Sequence, residues 1–475
     1  MTISRWAAPV LALVAFGCTS AGNTAPEPRG FSSVKETGLL DTYREMGLVV
    51  GPDSFPIVGR IVYLRGPADS TLVGFTASIP SALLRFSREG DLFAANYLVN
   101  MLFQAGPDTV LRMSRREVVR VETFSETERA DESVIFQRFI ALPPGRYTAA
   151  LTVRELSSRD EAFDRLELDV PGFGPGGRSL SDPLVAYRAV PRSRYDQTPP
   201  LILAPRSTVA YTTAPALVVV EDYSNDPSPV TLEALIEGET VWLDTLEWQL
   251  RESGPASGLA DLPLSQLPPG PVTLRATVVT SGETLDVPLL VAGADQWVFS
   301  SFEQALPYFE YAVDSETLQA WSEARPLSRS LLWQQFWRAT DSIPSTEANE
   351  YLREYFARMT VANDRFPEGD TPGWQSDRGR VFVQLGDPDR ELIHPPRISG
   401  QSTLIEWAYE ESLPFPVRLY FEAENAFGKY GLTSGSTQVL DEAVRRLRQS
   451  RHEAASAGIP VSGAGAAEQE TGDNQ

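Results

Sequence analysis

Apolar and polar positions alternate in short runs over residues 55–171, and Gly, Pro, Asp and Ser break the runs at regular intervals. The spacing predicts strands at 57–64, 72–78, 83–86, 93–102, 110–113, 118–124, 134–142, 147–156 and 163–170. Short strands in such number, with turn signals between them, predict an Ig-like β-sandwich over 55–171. A Pro- and Gly-rich stretch, 172–200, reads as a linker, although 184–190 has the composition to pair with a neighbouring sheet. Strand-like runs resume over 201–292, at 216–221, 230–236, 240–246 and 272–280, and predict a second β-sandwich in tandem with the first.

An internal echo links the two halves. Leu142-Pro143-Pro144-Gly145 precedes one alternating run and Leu267-Pro268-Pro269-Gly270 precedes another. In both, Pro-Pro-Gly supplies a turn and a strand follows.

After Gln296 the apolar period becomes helical. The stretch 327–340 places Leu331, Leu332, Phe336 and Trp337 on one side. A second helix, capped by Ser345 or Thr346, runs to about Arg365 with Tyr351, Leu352, Tyr355, Phe356, Met359 and Ala362 as its apolar stripe. Glu354 and Arg358 can pair across one turn of it. Strands are expected again at 380–385, 404–409, 417–422 and 429–432, with a hairpin loop at 425–428. Helices followed by an antiparallel meander predict an α+β domain over 296–448, with a last short helix at 440–447 and a disordered tail over 449–475. The whole chain is thus expected to be multidomain.

The N-terminal residues carry a different signal. Arg5 precedes an apolar run from Trp6 to Phe16 that is too short for a permanent membrane span. Residues 1–18 resemble a bacterial lipoprotein signal peptide with its lipobox, which implies that Cys18 is diacylated and becomes the mature N-terminus. An ordinary secretory signal with an incidental cysteine is the other reading. Cys18 is the only cysteine among 475 residues, so an intramolecular disulfide and Cys-based zinc or redox sites are excluded. Two or more acyl chains make a stable anchor. Thr19 in place of Asp after the cysteine is similar to outer-membrane lipoproteins, which face the periplasm or the cell surface. Residues 19–54 read as a flexible tether and a short helix at 36–46.

A net charge of −22 disfavours phosphate backbones, and with no evident cluster of Lys and Arg nucleic-acid binding is not expected. Only two histidines, His394 and His452, are available for His-based metal or triad chemistry. Neither a metal nor a cofactor is expected.

The densest run of constrained residues is Pro372-Gly373-Trp374-Gln375-Ser376-Asp377-Arg378-Gly379-Arg380. Gly373 can take backbone conformations closed to other residues and lets Trp374 turn inward. Trp374 gives a large buried anchor if its indole N–H finds an acceptor. Ser376 and Asp377 are residue types that hold turns through backbone amides, and Arg378 or Arg380 can pair with Asp377, Asp387 or Glu406. A Trp-pinned turn that nucleates the meander is the structural reading. A binding site is the other, built on Gly373, Trp374, Ser376, Asp377, Arg378, Gly379, Asp387 and Glu406.

Together with Phe336-Trp337-Arg338, Asn349-Glu350, Ala362-Asn363 and Trp407-Ala408-Tyr409, this motif makes 296–434 resemble the GWxTD domain of bacterial cell envelopes, with Ser376 where the family name has Thr. The resemblance implies an envelope location and brings no catalytic residues with it.

Three chemistries compete with a purely structural motif. Asp377, Asp387, Asp389 and Glu406 are oxygen ligands of the kind calcium takes, although no Asp-x-Asp-x-Asp-Gly loop is present. Ser376-Asp377 with His394 has the letters of a hydrolase without a nucleophile-elbow pattern. Glu350 and Glu354 share a helix face, as a glycosidase pair can. The aromatic face of Trp333, Phe336, Trp337, Tyr351 and Tyr355 is either core or a partner groove. The expected function is that of a lipid-anchored envelope scaffold or binding module without catalysis, whose partner is a protein or an envelope polymer. The alternative is an envelope hydrolase acting on peptide or carbohydrate through acids near the motif.

Overall fold

A computed structural model describes residues 38–127, 133–174, 176–212, 216–343, 346, 348–395, 402–423 and 429–457. The expected signal peptide with Cys18, most of the expected tether, Ser345, the expected hairpin loop and the end of the expected tail lie outside the described residues.

The first strands form two facing sheets. One has the order Val49–Val50, Val58–Arg65, Thr71–Pro80, Ser133–Leu142. The other joins Ser87–Glu89, Leu92–Ala105, Gly145–Glu155 and Glu161–Val170, with Asp108–Val121 paired along the free side of Leu92–Ala105. Val73, Phe75, Ala77 and Ile79 from one sheet meet Val99, Met101, Phe103, Leu151 and Val153 from the other in a shared core. The strands expected at 110–113 and 118–124 are one continuous strand, Asp108–Val121. It pairs with Leu92–Ala105 along its length, with a register shift between Phe103 and Gln104, and its polar middle is solvated at the sheet edge, which hides the alternation. This strand also holds Arg112, Arg115, Arg116 and Arg120, a local basic run that the overall charge conceals. Residues 83–86 form no strand: Leu83 ends a 3-10 turn at Ser81–Leu83, and 84–86 follow it.

Thr71–Pro80 is buried at every position because both its faces are covered. Its second face, with Leu72 beside Val62 and Leu64, packs on Leu184, Ala186, Leu201, Leu203 and Val219. The stretch expected as a linker therefore contains a strand, Leu184–Ala189, paired to Leu201–Leu203 and Leu217–Asp222. The two halves are stacked sheet on sheet and not strung on a flexible connector. At this junction Arg192 and Glu221, with side chains 0% and 4% exposed, form a buried ion pair.

The second pair of sheets comprises Leu201–Leu203, Leu184–Ala189, Leu217–Asp222, Ala256–Asp261 and Trp248–Gln249, facing Thr208–Ala210, Thr284–Ala292, Gly270–Val278, Val230–Ile236 and Glu239–Thr245. Both Pro-Pro-Gly turns open a strand, with Gly145 at φ 151° and Gly270 at φ 126°.

Helices cover the end of this second unit, and one core runs through both. Tyr211 stacks on Trp333 at 5.1 Å between ring centres and its hydroxyl donates to the Leu267 carbonyl at 2.7 Å. Trp333, Phe336, Trp337 and Tyr355 are buried, so that aromatic face is core. Past the helices Pro326–Thr340 and Glu350–Arg365, the strands Arg390–His394, Leu404–Tyr409, Val417–Ala423 and Tyr430–Leu432 form an antiparallel meander. The final helix is longer than expected, Ser434–Ala457.

Candidate functional site

The motif begins where the helix Glu350–Arg365 ends. Asn349 caps that helix, accepting from the Leu352 amide at 3.0 Å, while its own amide donates to the Trp337 carbonyl at 3.1 Å. Thr346, expected as a cap, instead donates to the Ile343 carbonyl at 3.0 Å. Glu354 and Arg358 do pair within the helix.

Residues 380–385, expected as a strand, are helical: Asp377–Leu385 is an α-helix, preceded by a single 3-10 turn, Gly373–Gln375. Val381, Phe382 and Val383 have strand propensity, but Val381, Phe382, Val383 and Leu385 are all buried and tertiary packing decides the conformation. Ser376 starts the helix. Its Oγ accepts from the Gly379 amide at 3.1 Å and donates to the Gly373 carbonyl at 2.8 Å.

The two glycines are required by proximity. A Cβ on Gly373 would lie 2.0 Å from the Ala362 carbonyl oxygen, and one on Gly379 would lie 1.8 Å from the Gly373 oxygen. The helix Glu350–Arg365, the 3-10 turn and the motif helix therefore touch backbone to backbone. Trp374 is 2% exposed, stacked on Tyr308 at 5.1 Å and edge-on to Tyr311 at 5.9 Å. Its indole N–H meets no acceptor among the described residues, contrary to the condition set for it as an anchor.

The charged members of the motif turn towards the meander. Asp377 Oδ2 accepts from the Leu432 amide at 2.6 Å. Arg378 donates from Nη2 to Glu368 Oε1 at 3.3 Å and lies 4.5 Å over the Tyr430 ring. Glu368, with a side chain 4% exposed, also accepts from the Tyr430 amide at 3.2 Å. Asp377, Arg378 and Glu368 together clasp the last strand onto the motif helix. Glu368 went unnoticed in the sequence because it sits in a polar turn, Pro367-Glu368-Gly369-Asp370, with no pattern to single it out.

The remaining acids go elsewhere, which corrects the expected pairings. Asp387 Oδ1 takes Arg365 at 2.6 Å. Arg380 reaches Asp441 at 3.1 Å. Glu406 lies 2.8 Å from His394 Nε2 and 3.8 Å from Arg418. Asp389 Oδ2 accepts from the amides of Glu411 at 2.7 Å and Ser412 at 3.2 Å and also from Glu410. Those backbone donors hold its carboxyl at about 2. Asp377, Asp387, Asp389 and Glu406 thus each bind a different partner and do not converge as cation ligands. The hydrolase letters do not assemble either, since the Ser376 hydroxyl is engaged at the helix cap and His394 faces Glu406. Glu350 Oε1 accepts from Thr346 at 2.6 Å and Glu354 is bonded to Arg358, so the two acids turn to different partners.

This succession of capped turn, backbone-close glycines and buried tryptophan falls inside a stretch with a family match. Residues 289–434 are a GWxTD domain. The GWxTD domain opens within the strand Thr284–Ala292 of the second sheet pair and closes at the first residue of the final helix. Its start inside a sheet agrees with the single core that spans both. In this GWxTD domain Ser376 performs the capping that the Thr of the family name also has the hydroxyl to perform. No curated protein matches the chain.

Proposed function

We propose that the chain is a lipid-anchored cell-envelope protein that acts as a non-catalytic scaffold or binding module through its GWxTD domain. The observation that carries this reading is the use of the motif inside the fold. Ser376 is spent on Gly373 and Gly379, Asp377 on the Leu432 amide, and Arg378 on Glu368. These groups fix one strand to one helix and shape a rigid surface for a partner. In this reading the two stacked sheet pairs are Ig-like domains that hold the GWxTD domain away from the membrane. Cys18 carries the acyl chains, and the protein sits in the outer membrane facing the periplasm or the cell surface. Its partner is a protein or an envelope polymer.

Two measurements test it. Metabolic labelling with an alkyne fatty acid should mark the wild-type chain and leave Cys18→Ser unmarked and released from membranes. Crosslinking in intact cells, followed by purification from solubilised envelopes, should recover a reproducible partner. Failure to label Cys18 removes the anchor, and recovery of no partner in repeated trials removes the binding module.

A further inference from the structure

A cleft of about 480 Å³ lies where the second sheet pair meets the GWxTD domain. One wall is the turn Pro268-Pro269-Gly270-Pro271, the second of the two Pro-Pro-Gly echoes. Phe302, Glu303, Glu237 and Arg329 also line it. We propose that this cleft binds a basic side chain, Lys or Arg, presented by an extended segment of a partner protein. The proposal rests on the binding-module reading above and names the chemistry of its partner.

Three observations converge on a cation. The first is charge. Arg329 is 6% exposed, donates to Glu237 at 3.0 Å and stands 3.8 Å from Glu303, so one guanidinium faces two carboxylates. The Glu237 and Glu303 side chains are 60% and 64% exposed, which leaves their outer oxygens open to a second cation. Arg329 is fixed in place: it donates to the Ala324 carbonyl at 3.2 Å and lies 4.5 Å over the Phe302 ring. The cleft keeps a residual negative charge on a chain of net charge −22.

The second is the wall. Pro268, Pro269 and Pro271 have no amide N–H, so this side of the cleft offers carbonyl oxygens and ring carbons and is poor in donors. Such a surface suits a ligand that brings donors of its own on an alkyl stem. The third is preorganisation. The positive φ of Gly270 seats the turn against the helix start, where a Cβ would lie 3.1 Å from the Phe302 amide nitrogen. Glu237 holds a left-handed φ of 51° at the hairpin tip, directed to Arg329. The volume is that of a site for a long side chain with part of its backbone.

The test uses the full chain and two labelled peptides, acetyl-Pro-Leu-Lys-Leu-Pro-amide and the same peptide with Glu at its centre, read by fluorescence polarisation. The Lys peptide is expected to bind, and the Glu peptide to bind at least about tenfold more weakly, with the difference shrinking as salt is added. The double variant Glu237→Gln with Glu303→Gln should lose about tenfold for the Lys peptide. Glu303→Gln alone, which breaks no hydrogen bond to Arg329, should lose part of that with an unchanged melting temperature. Equal binding of both peptides, absence of Lys-peptide binding, or unaltered binding by the double variant overturns the proposal. If wild type and double variant recover the same envelope partner equally, the cleft is overturned and the binding-module reading stands. Glutamate-dependent peptide binding with no envelope partner supports the cleft and counts against that reading.

Discussion

Gly379 rests against the carbonyl oxygen of Gly373 so closely that a Cβ on Gly379 would lie 1.8 Å from it. Neither partner in this contact is a flexible side chain, so the helix itself must move to admit a methyl group. Gly379→Ala is expected to destabilise the chain by about 3 kcal/mol or more, beyond ordinary overpacking. Gly373→Ala, at 2.0 Å from the Ala362 oxygen, should behave alike. Gly435→Ala is the control: nothing lies within 4 Å of its Cβ and it sits in a helix, so the change should be slightly stabilising. Urea denaturation of the three variants decides the matter.

Ser376 separates capping from mere polarity. Ser376→Ala leaves the Gly379 amide and the Gly373 carbonyl without their hydroxyl partner in a buried setting and should cost about 1–2 kcal/mol. Ser376→Thr keeps the hydroxyl, and a change within about 0.5 kcal/mol is expected if the cap is its whole role. A loss equal to that of Ser376→Ala would place the constraint on side-chain volume.

Trp374 contributes by packing alone. It is stacked on Tyr308 with its indole N–H unpartnered among the described residues. Trp374→Ala should therefore cost about 3–5 kcal/mol, and Trp374→Phe roughly half of that or less, since no hydrogen bond is lost. Equal costs for the two substitutions, measured by chemical denaturation, would reveal an acceptor for the indole.

The sequence was most legible where one side of an element faces water. Gly145–Glu155 alternates, and the strand expected at 147–156 lies close to its observed limits. Burial on both faces does not by itself hide an element, since Thr71–Pro80 matches the strand expected at 72–78, but two other elements differ from expectation. Val381-Phe382-Val383 carries strand letters but forms a helix, because its surroundings bury it on all sides. The edge strand Asp108–Val121 loses its pattern to solvent. At the site, the glycines, Trp374 and Ser376 announce a constrained turn, and it is there. The partners of Asp377 and Arg378 are the Leu432 amide and a turn acid, Glu368, distant along the chain by 55 and 10 residues. No local spacing encodes such contacts.

Arg192 and Glu221 make the junction between the sheet pairs sensitive to charge. Arg192 donates to Glu221 through Nε at 2.8 Å and Nη2 at 2.7 Å, and reaches the Arg65 carbonyl of the first sheet pair at 2.6 Å. Tyr223 donates to the same carboxylate at 3.0 Å. Removing the acid strands a buried guanidinium, so Glu221→Gln should cost about 3–5 kcal/mol. The pair Arg192→Met with Glu221→Leu should cost less than the two single losses combined, since no lone charge remains. A double-mutant cycle in urea reads the coupling, and simple additivity would show that the two groups act independently.

Asp389 ties the turn after the motif helix to the turn at Glu410–Ser412, and it does so most strongly when ionised. Its carboxyl falls from 3.8 to about 2 because the amides of Glu411, Glu410 and Ser412 bond the charged form. A depressed folded-state value means that the fold favours the carboxylate. The contribution is therefore complete above about pH 4 and disappears as the pH falls through about 2. Asp389→Asn keeps an acceptor but removes the charge. The stability gap between wild type and Asp389→Asn should be widest near neutral pH and should close between pH 3.8 and about 2. The side chain is solvent-exposed, so added salt should narrow the gap at neutral pH as well. Urea denaturation from pH 7 down to the acid limit of the fold follows it, and a gap that stays constant across that range would show that Asp389 is held by geometry alone.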